Sequence, residues 1–344
     1  MDKLLSLQQK IIPELVPLLL SRYQVLRSVL FLQPIGRRAL AEQLHMQERH
    51  VRNEVDLLKE RELLTLTSAG MQVTSQGEML LWEIEGYIRE LQGLNLLEQE
   101  IAQRFGIQKV MVVAGDSDRD DTVKKDLARV TASYLGRRLR EGSILAVTGG
   151  TTLAEVAAAL KPPAVKRNIT VIPARGGLGE EVEIQANAVA ANVAKGLGAS
   201  YRLLHVPDDL GQKAMRSIAE EPKIKEILDM VRKADIVMHG IGTAEEMAKR
   251  RGMPEPQIAE ITGQGAVGEA FGYYFAIDGS VIHSTSSVGL QLNELDQTEE
   301  VIAVVGGASK AAAVKAVLTN APRNVLVIDE GAARAMMDLS NRWL

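Results

Sequence analysis

The run from Ser143 to Gly179 limits the chain to few folds. It opens with an apolar tetrapeptide, Ile144-Leu-Ala-Val147, that stops at Thr148-Gly-Gly-Thr-Thr152. Apolar residues then recur at Leu153, Val156, Ala157 and Leu160, the spacing of one helix face. Strand, glycine turn and helix in that order leave backbone N–H groups at a helix N-terminus, where the dipole favours negative charge. Gly149 and Gly150 can take positive φ and let an anion approach the main chain, and Thr151 and Thr152 add hydroxyl donors. The device repeats at once. Ile169–Pro173 reads as a strand and Ala174-Arg-Gly-Gly177 as its turn, with Arg175 able to offer a two-pronged donor to phosphate. Two neighbouring loops of this kind point to a phosphorylated ligand. The alternative is a pair of αβ turns that use glycine for geometry alone.

The same punctuation runs to the end of the chain. Strands are expected at Val110–Ala114, Ile144–Val147, Thr170–Pro173, Arg202–Val206, Ile236–Met238, Val301–Val305 and Val325–Ile328, with helical patterns between them. The turns after them are rich in Gly and Asp. Such alternation predicts a parallel, doubly wound α/β sheet. Ligands of these sheets sit at the carboxyl ends of the strands, where the glycine loops lie. No G-x-G-x-x-G opens the region and no G-x-x-x-x-G-K-[ST] occurs, which disfavours a dinucleotide or a nucleoside triphosphate.

The first 75 residues have a different pattern. Leu4–Leu32 reads as helix, restricted by Pro13 and Pro17. Arg37–Leu44 then makes a short helix with Leu40 and Leu44 inward. His45-Met-Gln turns the chain, and Glu48–Glu62 makes a second helix with Val51, Val55 and Leu58 inward. Two short helices joined by a tight turn are a helix-turn-helix. Gln47, Arg49, His50, Arg52 and Asn53 crowd the start of the second helix, with Arg37 and Arg38 on the first; these residue types reach base edges and phosphates. Leu63–Thr67 and Met71–Thr74, alternating about Ser68-Ala-Gly70, predict a hairpin wing. The whole reads as a winged helix that binds double-stranded DNA. A winged domain with merely solvated charges is the alternative. Gln76–Phe105 continues as one long helical stripe, with Gly86 and Gly93 as places for a break. The expected division is 1–75 for the DNA-binding domain, 76–105 for a connector helix and 106–344 for a ligand-binding domain.

Composition narrows the function classes. The 344 residues contain no Cys and only 3% aromatic residues, with a formal net charge of −4. Disulfides and thiolate chemistry are thereby excluded. The start carries no signal-peptide pattern and no stretch reads as long and apolar enough to span a membrane, so a cytoplasmic protein without a membrane partner is expected. His45 and His50 are not spaced with carboxylates as metal ligands are, so no metal site is expected.

Six blocks carry a resemblance: VTGGTT (147–152), PARGGLGE (173–180), QANAVAANVA (185–194), MHGIGTAEEMAKRR (238–251), EAFGYYFAIDG (269–279) and VVGGASKAAAVKAVL (304–318). A winged helix followed by a sugar-isomerase-like domain with these blocks resembles the SorC/DeoR-type bacterial repressors, in the branch that controls glycolytic genes. The resemblance implies a DNA-binding repressor whose effector is fructose-1,6-bisphosphate, with no other cofactor; a homo-oligomer, dimer or tetramer, is expected because helix-turn-helix proteins read paired half-sites. The site it implies comprises Gly149, Gly150, Thr151, Thr152, Arg175, Gln185, Glu269 and Lys310, with Arg250 beside them. One phosphate falls to Gly150–Thr152 and Lys310, the other to Arg175 and Arg250, and the sugar hydroxyls to Gln185 and Glu269. The rival reading is a sugar-phosphate isomerase or deaminase, which the domain also resembles. The deaminases continue past the Gly-Ile-Gly242 strand end into a Gly-His-Ile segment, whereas here Thr243-Ala-Glu-Glu follows. His239 and His205 are read as structural, and binding without turnover is expected.

Overall fold

Helix α1 (Leu15–Leu32) begins the described structure proper, with Pro17 in its first turn, where a missing N–H costs nothing. The chain is described here from a computed structural model, which covers residues 10–162, 167–177, 181–207, 212–285, 288–320 and 324–341. It falls into two compact units, Met1–Leu96 and Leu97–Leu344.

In the first unit, α1 is followed by α2 (Arg37–Gln43), α3 (Glu48–Glu60), β1 (Leu64–Thr67), β2 (Gly70–Val73) and α4 (Ser75–Leu91). The turn between α2 and α3 passes through His45 at φ 52°. Leu40 and Leu44 from α2 pack with Val51, Val55 and Leu58 from α3 and with Val25, Leu26 and Val29 from α1. β1 and β2 pair antiparallel from Leu64 opposite Val73 to Thr67 opposite Gly70, so the wing is present. Thr74 caps α4 by accepting the Gly77 N–H at 3.0 Å. One expectation is corrected here: α1 is long and apolar enough, by length and composition, to cross a membrane. Its Val25–Val29 stretch is nevertheless buried in this unit, and Arg22 binds Glu54 of α3 at 2.8 Å. Of the two places expected for a break in the connector, the structure uses Gly93: α4 ends at Leu91, Gly93 takes φ 69°, and α5 (Leu94–Phe105) starts afresh. Gly86 lies inside α4, which belongs to the first unit.

The second unit continues from α5 through β3 (Lys109–Val113), α6 (Thr122–Arg138), β4 (Ile144–Val147), α7 (Thr151–Ala159), β5 (Thr170–Pro173), α8 (Ala186–Leu197) and β6 (Ser200–Tyr201). Then follow α9 (Gln212–Ala219), α10 (Pro222–Arg232), β7 (Ile236–Gly240), β8 (Gly242–Thr243), α11 (Ala244–Arg250), α12 (Glu255–Gly263), β9 (Ala266–Ala270), β10 (Tyr273–Ala276) and β11 (Val281–Ser284). The unit closes with β12 (Glu300–Val305), α13 (Ala311–Asn320), β13 (Val325–Asp329) and α14 (Glu330–Asn341). Seven strands form one sheet in the order β3-β13-β12-β7-β4-β5-β6, and every pair in it is parallel. Successive strands run from β4 outward to β5 and β6, after which the chain returns to place β7 on the other side of β4. That reversal opens a crevice at the carboxyl ends of β4 and β7, the switch point where doubly wound sheets bind ligands.

Two features of this unit depart from the sequence reading. Arg202–Val206 is not a strand, since β6 stops at Tyr201. The backbone groups of Leu204 are satisfied by a side chain instead: Leu204 N–H donates to Asn187 Oδ1 at 2.9 Å and Asn187 Nδ2 donates to Leu204 O at 3.0 Å. The second is a four-stranded antiparallel sheet, β11-β10-β9-β8, packed beside the parallel one in sequence between β7 and β12. It contributes a wall of the crevice.

Candidate functional site

The crevice is walled by the turns that follow β4, β5, β7 and β12. After β4, Gly150 takes φ 124° and its N–H donates to Ile184 O at 2.8 Å. Gly149 is required by contact: a Cβ there would lie 2.5 Å from the same carbonyl. This presses the loop against the segment that carries Gln185 and leaves α7 starting at Thr151 with no side-chain cap. The first N–H groups of a helix have no partner inside it, so the α7 N-terminus presents N–H donors, a group that suits an anion, to the crevice. After β12, a short turn of 3-10 helix, Ala308–Lys310, brings Lys310 to the same space. Its ammonium has no partner among the described residues.

That turn is held from behind. Asp329, fully buried at the end of β13, accepts hydrogen bonds from Ser117 N–H (2.8 Å), Ser117 Oγ–H (2.6 Å), Gly307 N–H (2.7 Å) and Ala332 N–H (2.9 Å). Asp118 accepts the Ser309 N–H at 2.7 Å. Burial pushes the Asp329 carboxyl above the usual aspartate range, against the hydrogen bonds from Ser117, Ala332 and Gly307 that pull it down.

The opposite wall carries charge. Arg175, past the end of β5, and Glu269, on β9, are both buried. Arg251, just past α11, donates to Glu269 Oε1 at 2.8 Å, and Arg175 Nη1 lies 3.9 Å from the same oxygen. Gly272 N–H donates to that oxygen too. Burial pushes the Tyr274 phenol up to about 12, opposed by the nearby Arg251. Glu269 is therefore a strand residue tied to two guanidinium groups. Gln185 sits at the N-cap position of α8, half-buried. Arg250 ends α11, with Nη1 3.8 Å from Met247 Sδ.

All nine ligand-site positions expected from the sequence line this one cleft: Gly149, Gly150, Thr151, Thr152, Arg175, Gln185, Arg250, Glu269 and Lys310. The empty space within it is about 940 Å³, open solvent at its mouth included. Thr148, Gly240–Gly242, Glu246, Arg251 and Phe271 also line it and were missed. Arg251 is the most consequential of these, and its only signal was the paired Arg250-Arg251. His239 is buried at the end of β7, its Nδ1 2.9 Å from Gly240 O, and His205 is exposed. Neither lines the cleft.

On the first unit, Gln47, Arg49, His50, Arg52 and Asn53 are all exposed around the start of α3. Several of the cations are engaged within the chain: Arg52 with Glu48 (2.9 Å), Arg37 with Asp56 (3.1 Å) and Arg38 with Glu42 (3.3 Å). His50 Nε2 is 2.9 Å from Ser21 Oγ. Gln47, Arg49 and Asn53 have no side-chain partner among the described residues, so they present their hydrogen-bonding groups to solvent.

Comparison with known proteins finds two family models along the chain. Residues 18–88 match the CggR N-terminal DNA binding domain, and residues 89–338 match the Sugar-bind family of sugar-binding domains. The chain is 45% identical over 338 residues to the central glycolytic genes regulator of Priestia megaterium, covering 98% of this chain and 99% of that one. To the protein of the same name from Bacillus subtilis it is 41% identical over 337 residues, covering 98% and 99%. Among solved structures, a SorC family transcriptional regulator from Enterococcus faecalis superposes with a TM-score of 0.66 at 40% identity, covering 70% of this chain and 99% of that one. The full-length sorbitol operon regulator SorC from Klebsiella pneumoniae shares the fold, with a TM-score of 0.65 at 18% identity, covering 89% and 94%.

Proposed function

The chain belongs to the family of central glycolytic genes regulators, which joins a DNA-binding domain to a sugar-binding domain, and on that premise we propose that it is a repressor that senses fructose-1,6-bisphosphate. Its α3 reads operator DNA, and the sugar bisphosphate in the cleft weakens that binding or remodels the oligomer. The observation that carries this reading is the pairing of two unlike anion sites in one cleft. One is the uncapped α7 N-terminus with the Thr151 and Thr152 hydroxyls and the Lys310 ammonium. The other is the arginine group, Arg175 and Arg250. A ligand with a phosphate at each end suits such a cleft, because a helix N-terminus and a guanidinium fork are both groups that favour phosphate.

The protein acts by binding, not turnover. The imidazole nearest the strand ends, His239, is buried with its Nδ1 against a carbonyl, so it is not placed as a general acid for a sugar carbonyl. Two or four copies act together, since helix-turn-helix proteins read paired half-sites. It works in the cytoplasm, where its DNA and metabolite are.

The test is fluorescence anisotropy on a duplex that the protein itself selects from a random pool, with and without fructose-1,6-bisphosphate, followed by analysis of the sugar. Weaker binding or a changed stoichiometry, with the sugar recovered intact, is expected. Unaltered DNA binding at saturating sugar, or a sugar product, contradicts the reading.

A further inference from the structure

The turn joining β9 to β10 breaks a rule of turn chemistry, and the break is aimed at the cleft. Ala270 pairs with Tyr273, so the loop is the two residues Phe271 and Gly272. Both have positive φ, 54° and 79°, as a type I′ hairpin turn requires. Asn or Asp followed by Gly is the usual pair there, because a short polar side chain tolerates the left-handed region and a bulky one does not. The second position obeys. Gly272 is fixed both by its φ and by contact, since a Cβ would lie 2.4 Å from Arg175 Nη1, Arg175 Nη2 and Thr285 Oγ1. The first position departs, and carries an aromatic ring.

Departures of this kind collect at functional sites, where the local cost is kept because the side chain is needed. Phe271 lines the cleft with the phosphate cradle and the arginines, and it is the one aromatic ring among the described residues that do. Its ring is backed by the imidazole of His239, with centroids 4.5 Å apart and planes tilted by 43°. His239 is itself fully buried, so the ring has a firm support.

Building on the sugar-phosphate reading above, we infer that Phe271 is the platform for the carbon face of a closed sugar ring. The cleft thereby selects a ring-form sugar bisphosphate over an open-chain one that carries the same two phosphates. The polar groups of the cleft satisfy phosphates and hydroxyls in either form. Only the ring form presents a contiguous C–H face for an aromatic surface to cover, and it gives up less conformational freedom on binding.

The test is Phe271→Asn in the full-length protein, which gives the turn its preferred residue and removes the ring. Calorimetry with fructose-1,6-bisphosphate and with the open-chain analogue glucitol-1,6-bisphosphate is combined with thermal unfolding. The expected result is a loss of about tenfold in affinity for the ring sugar, the upper end for an aromatic contact. The open-chain analogue should change less than about twofold, since it gains nothing from the ring. Phe271 is only 6% exposed, so the melting temperature should fall in the variant; the difference in loss between the two ligands is the outcome that a purely structural ring does not give. Phe271→Leu, which keeps bulk but not the flat face, should also lose part of the preference. An equal loss for both ligands, or no loss for either, overturns the inference alone. Failure of the wild-type protein to bind any sugar bisphosphate overturns the inference together with the reading on which it rests.

Discussion

Replacing Glu269 by Gln separates two roles for that carboxylate. Its Oε1 takes a hydrogen bond from Arg251 at 2.8 Å and lies 3.9 Å from Arg175, and all three side chains are no more than 7% exposed. Without the negative charge, two buried guanidinium groups lose their counter-ion. Breaking a buried pair costs about 3–5 kcal/mol. The Gln oxygen can still accept one of the hydrogen bonds, so the lower end, about 3 kcal/mol, is the better estimate. In a unit of this size each kcal/mol moves the melting temperature by about 2–4 °C, which gives a fall of about 6–12 °C. A bound sugar bisphosphate would supply the missing charge. Ligand should therefore raise the melting temperature of Glu269→Gln by more than it raises that of the wild type. Circular dichroism melting of the full-length protein, with and without fructose-1,6-bisphosphate, reads both effects. A ligand-free variant that melts within about 2 °C of the wild type refutes the charge argument. A ligand-induced rise smaller than that of the wild type also counts against it, and favours a direct bond from Glu269 to a sugar hydroxyl.

Other substitutions test the remaining parts. Lys310→Ala removes the ammonium from the cradle and should weaken sugar bisphosphate binding by about 10- to 150-fold, the range for a hydrogen bond to a charged group; unchanged calorimetric affinity would place the phosphate elsewhere. Gly149→Ala puts a Cβ 2.5 Å from Ile184 O and 2.9 Å from Ala186 N, both main-chain atoms, so the loop must move and binding measured the same way should be lost. Asp329→Asn turns an amide N–H₂ toward groups that are all donors and should destabilise the protein by about 1–3 kcal/mol in urea unfolding. Because burial raises the Asp329 pKa, the folded chain binds a proton more readily there than the unfolded chain does. Its contribution is present at low pH and declines as pH rises through the raised value, and the Asn variant should lack that slope. Arg49→Ala removes an exposed cation at the start of α3 and should lower the slope of log affinity against log salt by about one; an unchanged slope in an operator titration argues against a phosphate contact.

The parallel sheet was legible because each of its strands ends at a turn whose chemistry is local. Ile144–Val147 and Thr170–Pro173 match at both ends, since glycine and proline mark those boundaries in the sequence itself. Arg202–Val206 was misread because its apolar residues have a strand-like pattern, while the side chain that displaces the strand partner belongs to Asn187, on another element. No local pattern carries that information. The antiparallel sheet was missed for the reason that makes it interesting: its β9–β10 turn is Phe-Gly rather than Asn-Gly. In the cleft, glycines and hydroxyls could be read from loop position. Arg251 could not, because adjacent arginines at a helix end differ only in which way the last turn points them. On α3, the buried Val51 and Val55 fix which face is exposed, so the polar set at its start was readable. The pairings of Arg37, Arg38 and Arg52 with acids depend on rotamers and were not.

Reciprocity between sugar and DNA tests the central claim most directly. If the sugar bisphosphate lowers operator affinity by some factor, operator must lower sugar affinity by the same factor, and couplings of this kind are about 5- to 150-fold. Calorimetric titration of the full-length protein with fructose-1,6-bisphosphate, alone and with saturating operator, measures it. Saturable binding in both cases, weaker with operator by the factor that the sugar imposes on DNA binding, is the expected result. Binding of equal strength with and without operator, or none at all, contradicts the assignment of this protein as a sugar-bisphosphate-sensing repressor.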